Sequence, residues 1–272
     1  MFYDFHNHTN YSHDSKSDIN DLCRSAISKN ISGILISDHY NGLDCNTRNF
    51  KEIITNSITA AKKAKRDFQN SLDVFTGVEI AEYFLNTSLT DEILHLTQYD
   101  AVIGSVHAIN FEGAQQDYYS HPDFSLWEEK LILAHLNAYF DNLLIVSEKC
   151  DFDILAHLDC PLRYINGKYN RKISLEPFFD KIEKILKVII SREKSLEINT
   201  SGINTPFDSF MPQAQILKMY LSLGGTLITA GSDSHCPEGV GNGFDRLSSL
   251  LSSLGVSQCC RYEKRKPIIY NY

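Results

Sequence analysis

The sequence predicts an α/β barrel whose parallel strands carry metal-binding side chains at their C-terminal ends. Three observations lead there. Short β-type runs alternate with amphipathic helical patterns, as in a parallel sheet with helical crossovers. Six of the seven runs end in His, Asp or Glu, and a parallel barrel builds its active site at its strand C-termini. The 272 residues, 43% of them hydrophobic, suffice for the core of one such barrel.

In chain order, residues 2–5 form the first run and lead to His6 and His8. A helix follows over residues 18–29, with Asp18 as N-cap and Ile19, Leu22, Ala26 and Ile27 near helical spacing. Residues 33–37 end at Asp38-His39, and a helix is expected over 50–68. Residues 73–78 end at Glu79, and 100–106 at His107. Residues 110–147 are long for one connection. Their start, 111–124, reads as an elaborated active-site loop rich in Gln, Asp and Tyr, before a helix over 126–147. Residues 152–156 end at His157, a helix spans 175–191, and 195–198 end at Asn199. After a helix over 212–223, residues 225–232 end at Asp233 and His235. With no internal repeat and no Pro/Gly/Ser-rich linker, residues 1–272 read as one domain.

The net charge of -8 tells against nucleic acid as the main partner, which would need phosphates neutralised. It leaves room for a small phosphorylated substrate held by a local positive field. Seven scattered cysteines without a CxxC pair read as reduced thiols. The N-terminus lacks the basic start and apolar stretch of a signal peptide, and no apolar run approaches the ~20 residues that span a bilayer. A soluble cytoplasmic protein is therefore expected.

His6-Asn7-His8 places two imidazoles on one face of a strand end, and Asp233-Ser234-His235 repeats the logic at the last strand. Imidazole and carboxylate together suit Zn, Fe or Mn better than Ca or Mg. His107 and His157 would each pass for an ordinary core histidine, but their shared position at strand ends argues for ligation.

These motifs resemble the PHP phosphoesterases and, among them, the monofunctional histidinol phosphatases. The resemblance is carried in family order by FHNHTNYSHD (5–14), ISDHY (36–40), GVEI (77–80), GSVHAIN (104–110), LAHLD (155–159), EINTSG (197–202) and GSDSHCPEGVG (231–241). It implies a distorted (β/α)7 barrel holding three divalent transition metals, Zn, Fe or Mn. By motif position, His6, His8, Glu79 and Asp233 would hold the first metal. Glu79 would bridge to a second, held also by His107 and His157. Asp14, His39 and His235 would hold the third, with Asp14 preferred to His13 as ligand. The implied reaction is hydrolysis of L-histidinol phosphate in histidine biosynthesis, with Asp233, Arg163 and His39 as candidate catalytic residues. Arg163 would contact the substrate phosphate, since guanidinium matches phosphate oxygens bidentately. Acceptors for the substrate's cationic end are expected among Glu112, Asp117 and Asp159.

Other residues read more plainly. His95, His121 and His135 fall outside strand ends and are taken as structural or surface histidines. Glu197 and Asn199 brace ligands or line the barrel mouth. Tyr118 and Tyr119 either close over substrate or are ordinary loop tyrosines. The basic tail 261–266 is expected to be a solvated terminal segment, and Cys259-Cys260 incidental. Three rivals compete: a PHP enzyme acting on nucleotides or DNA ends, a metal-stabilised binding module without activity, and an amidohydrolase. The last typically lacks the bridging Glu and the terminal DxH.

Overall fold

The computed structural model describes residues 1–118 and 122–272. Seven parallel strands form a nearly closed barrel in the order β1 (Tyr3–Asn7), β2 (Gly33–Ile36), β3 (Asp73–Ala81), β4 (Ala101–Ser105), β5 (Ile154–Leu155), β6 (Ser195–Asn199) and β7 (Ile228–Gly231). A further strand, His39–Asn41, resumes the path of β2 and pairs with the far end of β3, setting His39 opposite Glu79. Between β7 and β1 the ladder shrinks to one bridge, Asn7 with Ser234. That seam is reinforced by the buried Asp4 carboxylate, which accepts the backbone N–H groups of Ser232 and Gly241, both at 2.8 Å. Burial nonetheless pushes the Asp4 carboxyl up to about 6.

Strand periodicity sorts the core into two parts. Phe5, Leu35, Phe75, Ile103 and Ile154 fill the barrel interior. Their strand neighbours Ile34, Val74 and Val102 belong to the outer core, shared with the helices. Helix α1 (Ile19–Ser28) is capped by Asp18, whose side chain accepts the Asn20 N–H, and it buries Ile19, Leu22, Cys23 and Ala26. Ile27, expected on that face, is exposed. Helices α2 (Phe50–Asp67), α4 (Glu129–Lys149), α5 (Phe179–Ser191) and α6 (Ala214–Ser222) lie within a few residues of expectation. Two more were not anticipated: α3 (Thr87–Leu94) and α7 (Phe244–Ser253). In α7 the buried positions Phe244, Leu247 and Leu251 keep helical spacing among four serines.

Two expectations need correction. The stretch expected as a loop from residue 111 begins within a β-hairpin, Ala108–Phe111 paired with Ala114–Asp117. Glu112 and Gly113 both take positive φ (51° and 79°), as a two-residue hairpin turn requires. The basic tail is not a solvated segment either. Gln258–Glu263 and Lys266–Asn271 form a hairpin folded under the barrel. The Tyr262 hydroxyl lies 2.7 Å from Ser195 Oγ, and Arg265 Nε donates to Asp153 at 2.7 Å. Cys260 and Tyr262 complete the inner core, so this hairpin is the barrel's floor. Among the described residues no helix is long and apolar enough to cross a membrane.

Candidate metal centre

At the opposite end, the strand termini deliver nitrogen and oxygen donors into one buried cluster. The two oxygens of Glu79, on β3, face different neighbours. Oε2 lies 3.4 Å from His6 Nε2 and 3.6 Å from His8 Nε2, while Asp233 Oδ1 is 3.7 and 3.3 Å from the same two nitrogens. Oε1 lies 3.1 Å from both His107 Nε2 and His157 Nε2, which are 3.4 Å apart. A third group stands beside these. Asp14 Oδ2 is 3.2 Å from His235 Nε2 and 3.6 Å from His39 Nε2, and His8, His39 and His235 converge as well.

These spacings fit metal ions. Four donors about 2.0–2.2 Å from a tetrahedral metal are about 3.3–3.6 Å from one another. His6 Nε2, His8 Nε2, Glu79 Oε2 and His235 Nε2 are buried without a hydrogen-bond partner among the described residues. Such orphans call for an ion or another ligand.

A second tier of residues fixes which ring nitrogen faces the cluster. His6 Nδ1 lies 2.6 Å from Glu197 Oε1, and the other oxygen of that carboxylate accepts the His157 backbone N–H. Gly231 allows this approach, because a Cβ there would collide with the Glu197 carboxylate and His6. His8 Nδ1 is 3.1 Å from Ser12 Oγ, which donates to Asp38 and accepts the His39 N–H. His235 Nδ1 is 2.9 Å from the Asp233 carbonyl. With Nδ1 donating in each ring, the Nε2 lone pair is left for a cation. His157 (φ 24°) and Asp233 (φ 54°) are held in the left-handed region, a strain that persists only where the surroundings impose it.

The titration behaviour follows from this crowding. Burial works against the Glu79 and Asp233 carboxylates, yet neighbouring imidazoles hold both well below the ordinary range. Burial likewise opposes a charge on His39, but Glu79 and Asp14 raise it to about 10. His8 is driven the other way, by burial and by His39 and His235. The cluster thus sets carboxylates against imidazoles, and burial with its neighbouring rings disfavours the charged form of His8.

The structure brings together His6, His8, Asp14, His39, Glu79, His107, His157, Asp233 and His235. Arg163, on the turn Arg163–Lys168, lines a cavity of about 340 Å³ with Asp14, Asp233 and His235, and donates to Ser201 Oγ at 3.1 Å. His13 sits beside Asp14, with Nδ1 3.8 Å from its carboxylate. Asp117 lines a smaller cavity next to His107. Glu112 sits exposed at the hairpin tip and lines neither cavity. Asp159 is fully buried, accepts the Gln213 N–H, and is pushed up to about 7 by that burial. Tyr118 is buried against His135 rather than poised over the site, and burial lowers His135 to about 4. His95 is exposed; Tyr119 and His121 lie outside the described residues.

Sequence reasoning missed Ser12, Ser201, Glu82 and the role of Asp38. Asp38 gathers the Thr9 N–H and the hydroxyls of Thr9, Ser12 and Ser57. Its place beside His39 was the one available signal.

Residues 4–201 match the family model described as PHP domain. The chain is 30% identical over 274 residues to a protein of Clostridium acetobutylicum named "Probable histidinol-phosphatase", covering 97% of this chain and 98% of that one. It is 24% identical to the histidinol-phosphatase of Lactococcus lactis, over 97% and 95%. A crystal structure of the Lactococcus lactis histidinol phosphate phosphatase, complexed with Zn, L-histidinol and phosphate, superposes with a TM-score of 0.73 at 22% identity, over 98% of each chain.

Proposed function

The chain belongs to the PHP domain family, and from that membership we propose that it is a metal-dependent phosphomonoesterase hydrolysing L-histidinol phosphate to L-histidinol and phosphate. The observation that carries the reading is Glu79, whose two oxygens face two separate sets of donors. The substrate assignment is supported by the relatives' names and by the Lactococcus lactis structure with L-histidinol and phosphate.

In this reading His6, His8, Glu79 and Asp233 hold one divalent metal. Glu79, His107 and His157 hold a second, and Asp14, His39 and His235 a third, each Zn, Fe or Mn. Bound there, such metals neutralise phosphoryl oxygens and lower the pKa of water. Arg163 faces the same cavity and binds the phosphoryl group, its guanidinium steadied by Ser201. Asp233 directs Oδ1 at His8 and Oδ2 at Asn199 Nδ2, 3.3 Å away. It is thus fixed where it can orient an attacking water and take its proton. His39, between Glu79 and Asp14, belongs to both the ligand and the catalytic candidates. Attack on phosphorus breaks the bond to the ester oxygen, which leaves with a proton. The proposal extends to residues 1–272 as one domain, to histidine biosynthesis and to the cytoplasm.

The test is a panel of kcat/KM values for metal-replete enzyme on histidinol phosphate, nucleoside monophosphates and nucleoside bisphosphates. Preference for histidinol phosphate is expected. Preference for a nucleotide would sink the substrate assignment and leave the metal centre standing.

A further inference from the structure

A narrow cavity adjoins the His107 side of the cluster. It encloses about 20 Å³, and its wall includes His13, Asn41, Asp44, Glu82, His107 and Asp117. That is room for one group the size of a water molecule. Three of these residues are carboxylates, and among the described residues neither Lys nor Arg lines it.

Two acceptors in this wall lack a partner among the described residues: Asn41 Oδ1 and Glu82 Oε2. Their residues are 8% and 1% exposed. Glu82 is placed firmly. Its backbone takes φ 49°, and Oε1 accepts the N–H groups of His107 (2.5 Å) and Ala108 (2.9 Å). One oxygen therefore braces a candidate ligand strand end, while the other has no donor. A buried carboxylate oxygen without a donor is costly, and most so when the group is charged.

We propose that this cavity receives the ammonium group of the substrate, with Glu82 Oε2 and Asn41 Oδ1 accepting its hydrogens. Asp44 and Asp117 supply further negative charge. The proposal rests on the phosphomonoesterase reading and deepens it, because the substrate class becomes phosphate monoesters with an amine near the ester. The cavity is too small for a nucleobase, and its charge rejects a second phosphate. Of the acceptors expected from sequence, only Asp117 stands here.

The experiment compares matched substrates that differ by the amine. One pair is histidinol phosphate and its deamino analogue, 3-(imidazol-4-yl)propyl phosphate. The other is phosphoethanolamine and ethyl phosphate. Metal-replete wild type, Glu82→Gln and Asn41→Ala are assayed, with bound metal measured in each. Glutamine keeps an oxygen for the two backbone N–H groups but turns a donor toward the cavity. Wild type should favour the amine-bearing member of each pair, and each variant should lower that kcat/KM ratio at least tenfold. Equal losses on both members would show that Glu82 acts only through His107, and would overturn the proposal. So would a wild-type enzyme indifferent to the amine. If phosphoethanolamine is preferred to ethyl phosphate while histidinol phosphate is not hydrolysed, the cavity stands and the histidinol assignment falls. Should Glu82→Gln fail to fold, Asn41→Ala decides on the same ratio.

Discussion

At the scale of single residues, Glu79 concentrates the most consequence. Its carboxylate is shared between two donor sets, so Glu79→Ala should lower bound metal by more than one equivalent. Elemental analysis after reconstitution checks this, and loss of one equivalent or less would remove the bridging role. Arg163 makes the complementary prediction. Its loss should leave bound metal unchanged yet cost about 2–4 kcal/mol in kcat/KM, the scale of a charged contact to a transferring group. Steady-state kinetics at verified metal content decides. The nine candidate ligands were legible in the sequence because each sits at or beside the end of a β-type run or in a motif of known order. Of the residues that aim them, Glu197 and Asn199 were foreseen, but Ser12 and Glu82 were not. Ser12 meets His8 and Asp38 only because a turn folds back across β2, and Glu82 meets the His107 N–H across two strand ends. A one-dimensional pattern carries no trace of such contacts.

At the scale of elements, the seven strands and five of the helices followed from periodicity, since burial imposes it on the sequence. What escaped were short elements whose residues are mostly polar. The Ala114–Asp117 strand reads AQQD, and α7 carries four serines. The C-terminal hairpin escaped because its basic residues look solvated until their acidic partners are known. Arg265 is only about a quarter exposed and pairs with Asp153 and Asp151. Burial raises the Asp153 carboxyl above its ordinary value against the pull of Arg265. The ionised form therefore costs stability as pH rises above about 4, and Arg265 limits that cost. Asp151, whose carboxyl Arg265 holds low against burial, behaves oppositely: its pairing stabilises above about 4 and is lost only below that pH. Arg265→Ala should destabilise by about 1.5–3 kcal/mol near neutrality, the scale of hydrogen bonds to a charged group, since Asp153 keeps the Val102 N–H and the Lys194 ammonium 3.9 Å away. The penalty should shrink as pH falls toward 4, because Asp153 begins to take up its proton there, while the share from Asp151 remains. Thermal melts of both proteins at pH 4 and pH 7 test this; equal differences at the two values would show that the pair with Asp153 is not the source.

At the scale of the whole molecule, the two ends of the barrel are held by different means. The floor is a plug of Cys260, Tyr262 and apolar strand residues, while the mouth is a knot of carboxylates and imidazoles. Metal bound only by the folded form stabilises through mass action, by about 4 kcal/mol for each site at a thousandfold excess over its Kd. Chelation should therefore lower Tm by at least about 8 °C, taking about 2 °C per kcal/mol, and zinc should restore it. An unchanged Tm after verified metal loss would mean that the mouth is stable without cations. The seam between β1 and β7 carries this into the time order of synthesis. His6 and His8 emerge from the ribosome first, but Asp233 and His235 follow them by more than two hundred residues. Asp4 waits as long for Ser232 and Gly241. A growing chain thus exposes its paired histidines, and then Glu79, well before Asp233 exists. An ion bound before then would meet only part of the proposed donor set. His6, His8, Glu79 and Asp233 stand together only once the seam closes, so in the proposed metal centre selection of the ion would wait for that moment.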